Sequence, residues 1–129
     1  MAAGLQIRAA HFPGRAPIDA YGNGGFRFAD MSHRGSILCL PSGIHGWDAT
    51  AFDGLGEGDF ARVLDEAGSF DILLVGTGPS LLPMPAPLRK RLREAGVAVE
   101  TMSTGAAVRT YNVLLAEDRS VAAALIAVD

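Results

Sequence analysis

The segment Val97-Ala98-Val99-Glu100-Thr101-Met102-Ser103-Thr104-Gly105-Ala106-Ala107-Val108-Arg109-Thr110-Tyr111-Asn112 hands a strand over to a helix. Val97 to Val99 make a short apolar run closing on Glu100, as a buried strand does. Ser103 or Thr104 then offers a hydroxyl to cap a helix running to about Ala116. At the helical period Ala107, Tyr111, Leu114 and Leu115 share one face. Arg109 and Asn112 fall on another and, three apart, are neighbours there. A strand feeding a helix is the repeating unit of an α/β sheet.

Upstream, the alternation recurs. Asp71-Ile72-Leu73-Leu74-Val75 reads as a buried strand ended by Gly76-Thr77-Gly78-Pro79. A connector with Pro79, Pro83, Pro85 and Pro87 follows. Pro87 suits the first turn of a helix that carries Leu88, Leu92 and Ala95 inward and Arg89, Lys90, Arg91 and Arg93 outward. Asp59 is placed to cap a short helix with Phe60, Val63, Leu64 and Ala67 on one side and Gly68 as its stop. Ser36-Ile37-Leu38-Cys39-Leu40, halted by Pro41, has the continuous apolarity of a strand covered on both faces. The last apolar run, Val121 to Val128, is ambiguous: Ala122, Ala123 and Ala124 suit a helix, whereas its length and its place after a helix suit a closing strand. The strand is preferred.

The front third is richer in strands. Leu5-x-Ile7-x-Ala9-x-His11 alternates up to Phe12, and Pro13-Gly14 turns the chain. Ile18 to Tyr21, Gly22-Asn23-Gly24-Gly25 and Phe26-Arg27-Phe28 read as strand, tight link and strand, since Asn-Gly and Gly-Gly supply the positive φ of hairpin turns. A phosphate loop would need a following helix or a Lys-Ser/Thr closure, and neither follows. Ile44 to Trp47 reads as one more short strand or an extended edge. These elements predict a single domain over residues 1–129 of α/β class. Its three layers are β/β/α or α/β/α, with a mixed, largely parallel central sheet and an added N-terminal β layer.

Composition narrows the function classes. The 129 residues are 49% hydrophobic, and no apolar run approaches the ~18 residues of a membrane span. Met1 to Leu5 lack the basic region and apolar core of a secretory signal, and the Gly/Pro run after Phe12 does not suit a transit peptide. A net charge of −3 disfavours nucleic-acid binding. One cysteine, Cys39, leaves no internal disulfide and no multi-cysteine metal site. The expectation is a cytoplasmic protein without a membrane span.

Ligands of open parallel sheets sit beyond the strand carboxyl ends. Pro41-Ser42-Gly43, Gly76-Thr77-Gly78 and Glu100 to Thr104 are therefore expected to converge, with helix N-terminal amides favouring an anion. The candidate binding residues, for a pocket or an interface, are Gly76, Thr77, Gly78, Glu100, Thr104, Arg109 and Asn112. Each has a plainer reading. Gly76-Thr77-Gly78 suits a tight turn, Glu100 suits a pairing with an arginine or a helix N-terminus, and Arg109 with Asn112 suits internal hydrogen bonding. No catalytic constellation is visible: Cys39 lies in an apolar strand, His11, His33 and His45 are scattered, and Ser103 lacks the glycines of a nucleophile elbow. No metal or cofactor is expected.

Glu100-x-Met102-x-Thr104-x-Ala106-Ala107-x-Arg109-Thr110-Tyr111-Asn112-x-Leu114, then Glu117-x-Arg119-x-Val121-Ala122-Ala123-Ala124-Leu125, resembles the domain of unknown function 498 family. Tyr21-Gly22-x-Gly24-Gly25-Phe26, His33-Arg34-Gly35-Ser36, Trp47 and Gly76-Thr77-Gly78 resemble it in the same order. That family includes the mitochondrial complex I assembly factor group (NADH dehydrogenase alpha-subcomplex assembly factor 3), an adipogenesis-associated human protein and small prokaryotic proteins. The resemblance implies a three-layer fold with a mixed sheet, no known cofactor and no established catalytic residue. Three functional readings follow. The preferred one is a non-enzymatic assembly or binding factor, its partners respiratory-complex subunits or other proteins, with an interface at Arg109 or the rim around Trp47. The second is a small-molecule (anion) binder or enzyme with a pocket at Gly76-Thr77-Gly78, Glu100 and Thr104, and the third a structural homo-oligomer joined through the C-terminal segment.

Overall fold

The computed structural model describes residues 10–129, so the alternating positions Leu5, Ile7 and Ala9 lie outside it. The chain runs through β1 (His11–Phe12), β2 (Ala20–Gly22), β3 (Gly25–Phe28), β4 (Met31–Arg34), β5 (Ser36–Leu40) and β6 (Gly43–Trp47). It continues through α1 (Ala61–Asp65), β7 (Ile72–Gly76), α2 (Ala86–Glu94), β8 (Ala98–Met102), α3 (Thr104–Ala116) and β9 (Val121–Leu125). Short 3-10 turns at Glu57–Phe60 and Ala67–Ser69 flank α1.

Six strands form the central sheet in the order β1-β6-β5-β9-β7-β8. β9, β7 and β8 are mutually parallel, and the β5 side of the sheet is antiparallel. The mixed sheet therefore has a parallel half fed by helices and an antiparallel half fed by hairpins. The last apolar run is a strand, as preferred. Ala122, Ala123 and Ala124 are wholly buried between neighbours on both sides and layers on both faces, a setting that overrides alanine's helical preference.

Strand alternation sends side chains to two cores. Leu38, Leu40, Leu73, Val75, Ala122 and Ala124 face Phe60, Val63, Leu88 and Leu92 of the α1–α2 layer. Ile37, Cys39, Leu74, Ala123 and Leu125 face Ala107, Val108 and Tyr111 of α3 together with Phe26 and Phe28. Those two phenylalanines belong to the three-stranded sheet β2-β3-β4, the expected added β layer. Its first hairpin turns at Asn23 and Gly24, both at positive φ (53° and 78°), which matches the right-handed twist of the strands.

Three local expectations change. The 97–100 strand is β8 (Ala98–Met102) and lies at the edge of the described sheet: Val97 and Val99 are buried on one face, whereas Ala98 and Glu100 are exposed on the other. Asp59 does not cap α1. Its carboxylate accepts from the Gly56 amide at 2.9 Å inside the preceding turn, and Phe60 holds the N-cap position without a side-chain bond. Trp47 offers no exposed rim, since it is 9% exposed, donates its indole N–H to the Asp59 carbonyl (2.8 Å) and meets Phe60 edge-on.

Candidate functional site

At the carboxyl ends of β7 and β8 the chain closes on itself. The Thr77 amide donates to the Met102 carbonyl (2.9 Å), and the Thr104 amide donates to the Gly78 carbonyl (2.8 Å). The Thr104 hydroxyl accepts from the Gly78 amide (3.0 Å) and donates to the Ile126 carbonyl (2.7 Å). The Ile126 amide in turn donates to the Gly76 carbonyl (3.0 Å). One buried hydroxyl thus ties together the ends of three parallel strands. Gly76 is required for this approach, because a Cβ there would stand 2.9 Å from Thr104 Cα. Thr77, 3% exposed, donates its hydroxyl to the Ser80 carbonyl (2.6 Å), with the Met102 carbonyl at 3.1 Å, and accepts from the Leu82 amide (3.0 Å). Ser103 caps α3 by accepting from the Ala106 amide.

The remaining candidates separate. Asn112 clamps the chain at Ile18, accepting from its amide and donating to its carbonyl, both at 2.9 Å. Both bonds are internal to the chain. Arg109 is exposed on the adjacent face and shares no partner with Asn112. It lines, with Tyr21, Gly78, Pro79, Ser103 and Gly105, a hollow of about 540 Å³ outside the closed strand ends. Glu100 is exposed on β8, and among the described residues no cation lies within ion-pair distance of it.

Pro41-Ser42-Gly43 does not join this region. β5 runs antiparallel to β9, with Ile37 opposite Leu125 and Cys39 opposite Ala123, so its carboxyl end lies at the far end of the sheet. Convergence required a β5 parallel to β9, and the two strands pair antiparallel. At that far end the fold builds a cluster unseen in the sequence. His11 stands opposite His45 in register, with ring centroids 4.8 Å apart and Nδ1 atoms at 3.1 Å. His45 Nε2 meets the Ser42 hydroxyl at 2.8 Å, and that hydroxyl donates to Glu66 at 2.5 Å. With its hydrogen given to Glu66, Ser42 accepts from His45, so His45 Nδ1 is left to accept from His11. Burial, then Arg62 and His11, hold the His45 pKa below its ordinary value against the pull of Glu66. The signal for this cluster was strand pairing, which residue spacing alone does not reveal. Among the described residues no group of three His, Cys, Asp or Glu side chains is placed to hold a metal ion.

Cys39 and Tyr111 meet in the second core. Burial pushes the Cys39 thiol up to about 12 despite its hydrogen bond with Tyr111, and burial likewise raises the Tyr111 phenol. Burial thus favours the protonated form of both.

The fold and its closed strand ends define a class: a three-layer α/β domain with a mixed sheet and a separate small β layer. The same architecture is found in a Bartonella henselae protein described as an outer membrane protein, 64% identical over 92% of this chain and 100% of that one (TM-score 0.89). A Rhodopseudomonas palustris protein is 47% identical, covering 100% of this chain and 93% of its own (TM-score 0.81). This chain belongs to the family described as protein of unknown function (DUF498/DUF598), whose model matches residues 18–126. An uncharacterised Rhodobacter capsulatus protein is 44% identical over 89% of this chain and 87% of its own length. Mouse NADH dehydrogenase [ubiquinone] 1 alpha subcomplex assembly factor 3 is 28% identical over 95% of this chain, which spans 66% of that protein. Among the described residues no helix is long and apolar enough to cross a membrane.

Proposed function

We propose that this chain is a non-enzymatic assembly or binding factor whose partners are subunits of a respiratory NADH dehydrogenase. The observation that carries this reading is the match of nearly the whole domain to proteins named as assembly factors of that enzyme. The closed strand ends add support: Thr77 and Thr104, where an α/β sheet would hold a ligand, are buried and bonded to neighbouring backbone. Function then falls to the surface, with exposed Arg109 and the 42%-exposed Tyr21 beside the hollow as contact residues.

Affinity purification of the tagged protein from its own cells, beside Arg109→Ala, tests this. The expected result is stoichiometric recovery of NADH dehydrogenase subunits, reduced by the substitution. Recovery of the protein alone, together with normal NADH dehydrogenase assembly in a strain lacking the gene, overturns it. A second reading is favoured by the hollow itself, where Arg109 and the capping end of α3 suit a small anion although Asp129 lines the same space. Phosphate-dependent thermal stabilisation that Arg109→Ala abolishes would favour it.

A further inference from the structure

The parallel half of the central sheet ends on an open strand. β8 pairs with β7 on one side, and among the described residues no strand lies on the other. The direction of its backbone groups follows from two bonds. The Met102 carbonyl accepts from Thr77 on the β7 side, so the carbonyls of Ala98 and Glu100 turn that way too. Those of Val99 and Thr101 turn outward, and Val99 agrees: its carbonyl receives the Arg89 guanidinium at 3.3 Å. In a parallel pair a residue's N–H and C=O point to the same side. Val99 and Thr101 therefore present a row of strand-pairing groups to solvent, guarded by one long bond from a flexible side chain.

The surroundings select what pairs there. Arg89, Arg93, Gly96 and residues 97–99 line a groove of about 430 Å³ along the edge. α2 carries Arg89, Lys90, Arg91 and Arg93 against a single carboxylate, Glu94. Arg91 is occupied by Glu57 (3.2 Å), but among the described residues Arg93 has no carboxylate partner. A second copy of this chain, paired edge to edge across a two-fold, would crowd the guanidinium groups of both copies onto one strip. An acidic partner suits the groove instead.

We propose that β8 docks an extended, acidic segment of a partner protein. The segment adds a strand beside Val99 and Thr101, displaces Arg89 from the Val99 carbonyl, and sets carboxylates against Arg89 and Arg93. This deepens the binding-factor reading, and it is tested without respiratory subunits so that the two can fail separately.

The probe is a displayed library of random segments of about eight residues, a normal strand length, selected against the whole protein. The selected pool is expected to be rich in Asp and Glu alternating with β-branched residues. A pool member is then measured by fluorescence anisotropy and by amide exchange. Thr101→Pro removes an outward N–H at a place where an edge strand tolerates proline, and is expected to weaken binding roughly tenfold or more. Arg93→Gln is expected to weaken acidic segments selectively while moving the melting temperature by no more than about 4 °C. Protection on binding should map to the Val99 and Thr101 amides. An unenriched pool, binding indifferent to both variants, or protection elsewhere overturns the proposal. A dimer in solution that Thr101→Pro converts to monomer also overturns it, because the edge would then belong to a second copy.

Discussion

Thr104→Val is the substitution that most directly probes how the strand ends are held. Valine keeps the β-branched shape and removes only the hydroxyl, so packing around the 0%-exposed side chain is preserved. What disappears is the acceptor for the Gly78 amide and the donor to the Ile126 carbonyl. Both groups then lose that partner at bonds that are buried in the parent. Two net bonds of about 1 kcal/mol each, plus the penalty for unpaired buried groups, give a loss of about 2–4 kcal/mol. For a chain of this length that lowers the melting temperature by roughly 7–15 °C. Urea denaturation followed by far-UV circular dichroism measures the free energy directly, and an unchanged m-value confirms that the same surface is being exposed. Thr104→Ser separates the two contributions of the side chain: it retains the hydroxyl, loses one buried methyl and costs about 1 kcal/mol. If Thr104→Val falls within about 0.5 kcal/mol of the parent, the size of an ordinary surface change, the hydroxyl does not hold the strand ends and the reasoning fails.

Asn112→Ala removes both bonds to Ile18 and is expected to lower stability by about 1–3 kcal/mol, with faster amide exchange at Ile18; Arg109→Ala is expected to stay within about 0.5 kcal/mol. Gly76→Ala pushes a methyl against the Thr104 backbone and is expected to cost about 1–3 kcal/mol. Gly105→Ala meets the hydroxyl and ring edge of the 42%-exposed Tyr21, which can swing toward solvent, so calorimetry should find a cost within about 1 kcal/mol. Stability should fall on both sides of neutrality. Above the thiol's unfolded value of about 8.5 the unfolded chain releases a proton that folded Cys39 retains up to about 12, so stability falls as pH rises through that window, and Cys39→Ala should flatten that limb. The depressed His45 value makes the unfolded state bind more protons below about 6.5, so stability falls on acidification and His45→Gln should flatten that limb in urea titrations at graded pH.

The elements that could be read from sequence were those whose local and tertiary preferences agree. Ser36 to Leu40, Ile72 to Gly76 and the Ser103-capped helix are apolar or periodic enough that burial and local propensity point the same way. Orientation was not readable in this manner. The run 36–40 is equally apolar whether β5 runs parallel or antiparallel to β9, and that choice alone decides on which end of the sheet Ser42 lies. The edge character of β8 was written faintly in the alternation of Val97 and Val99 with Ala98 and Glu100, but three short side chains make a weak period. Thr77 and Thr104 stand out in the sequence as polar residues at strand ends. Their partners are mostly backbone groups, which carry no sequence identity, so whether they stitch the chain or await a ligand was invisible until the fold was in hand.

The same stitching bears on where this domain can act. A threonine hydroxyl bonded to an amide of one strand end and a carbonyl of another makes β7, β8 and β9 a single stiff body, since no end can move without breaking a buried bond. Stiffness of this kind fills the space between the strand ends with their own bonded groups and leaves only the hollow outside them beside Arg109. It also preorganises the free side of β8: a strand whose inner groups are fixed by β7 and whose end is fixed by Thr77 offers its outer groups in pairing geometry at little further entropic cost. Arg89 keeps that edge from pairing indiscriminately, as charged side chains do on exposed strands. Closed strand ends and a guarded edge thus belong to the same parallel half of the sheet, and the proposed binding-factor reading rests on both.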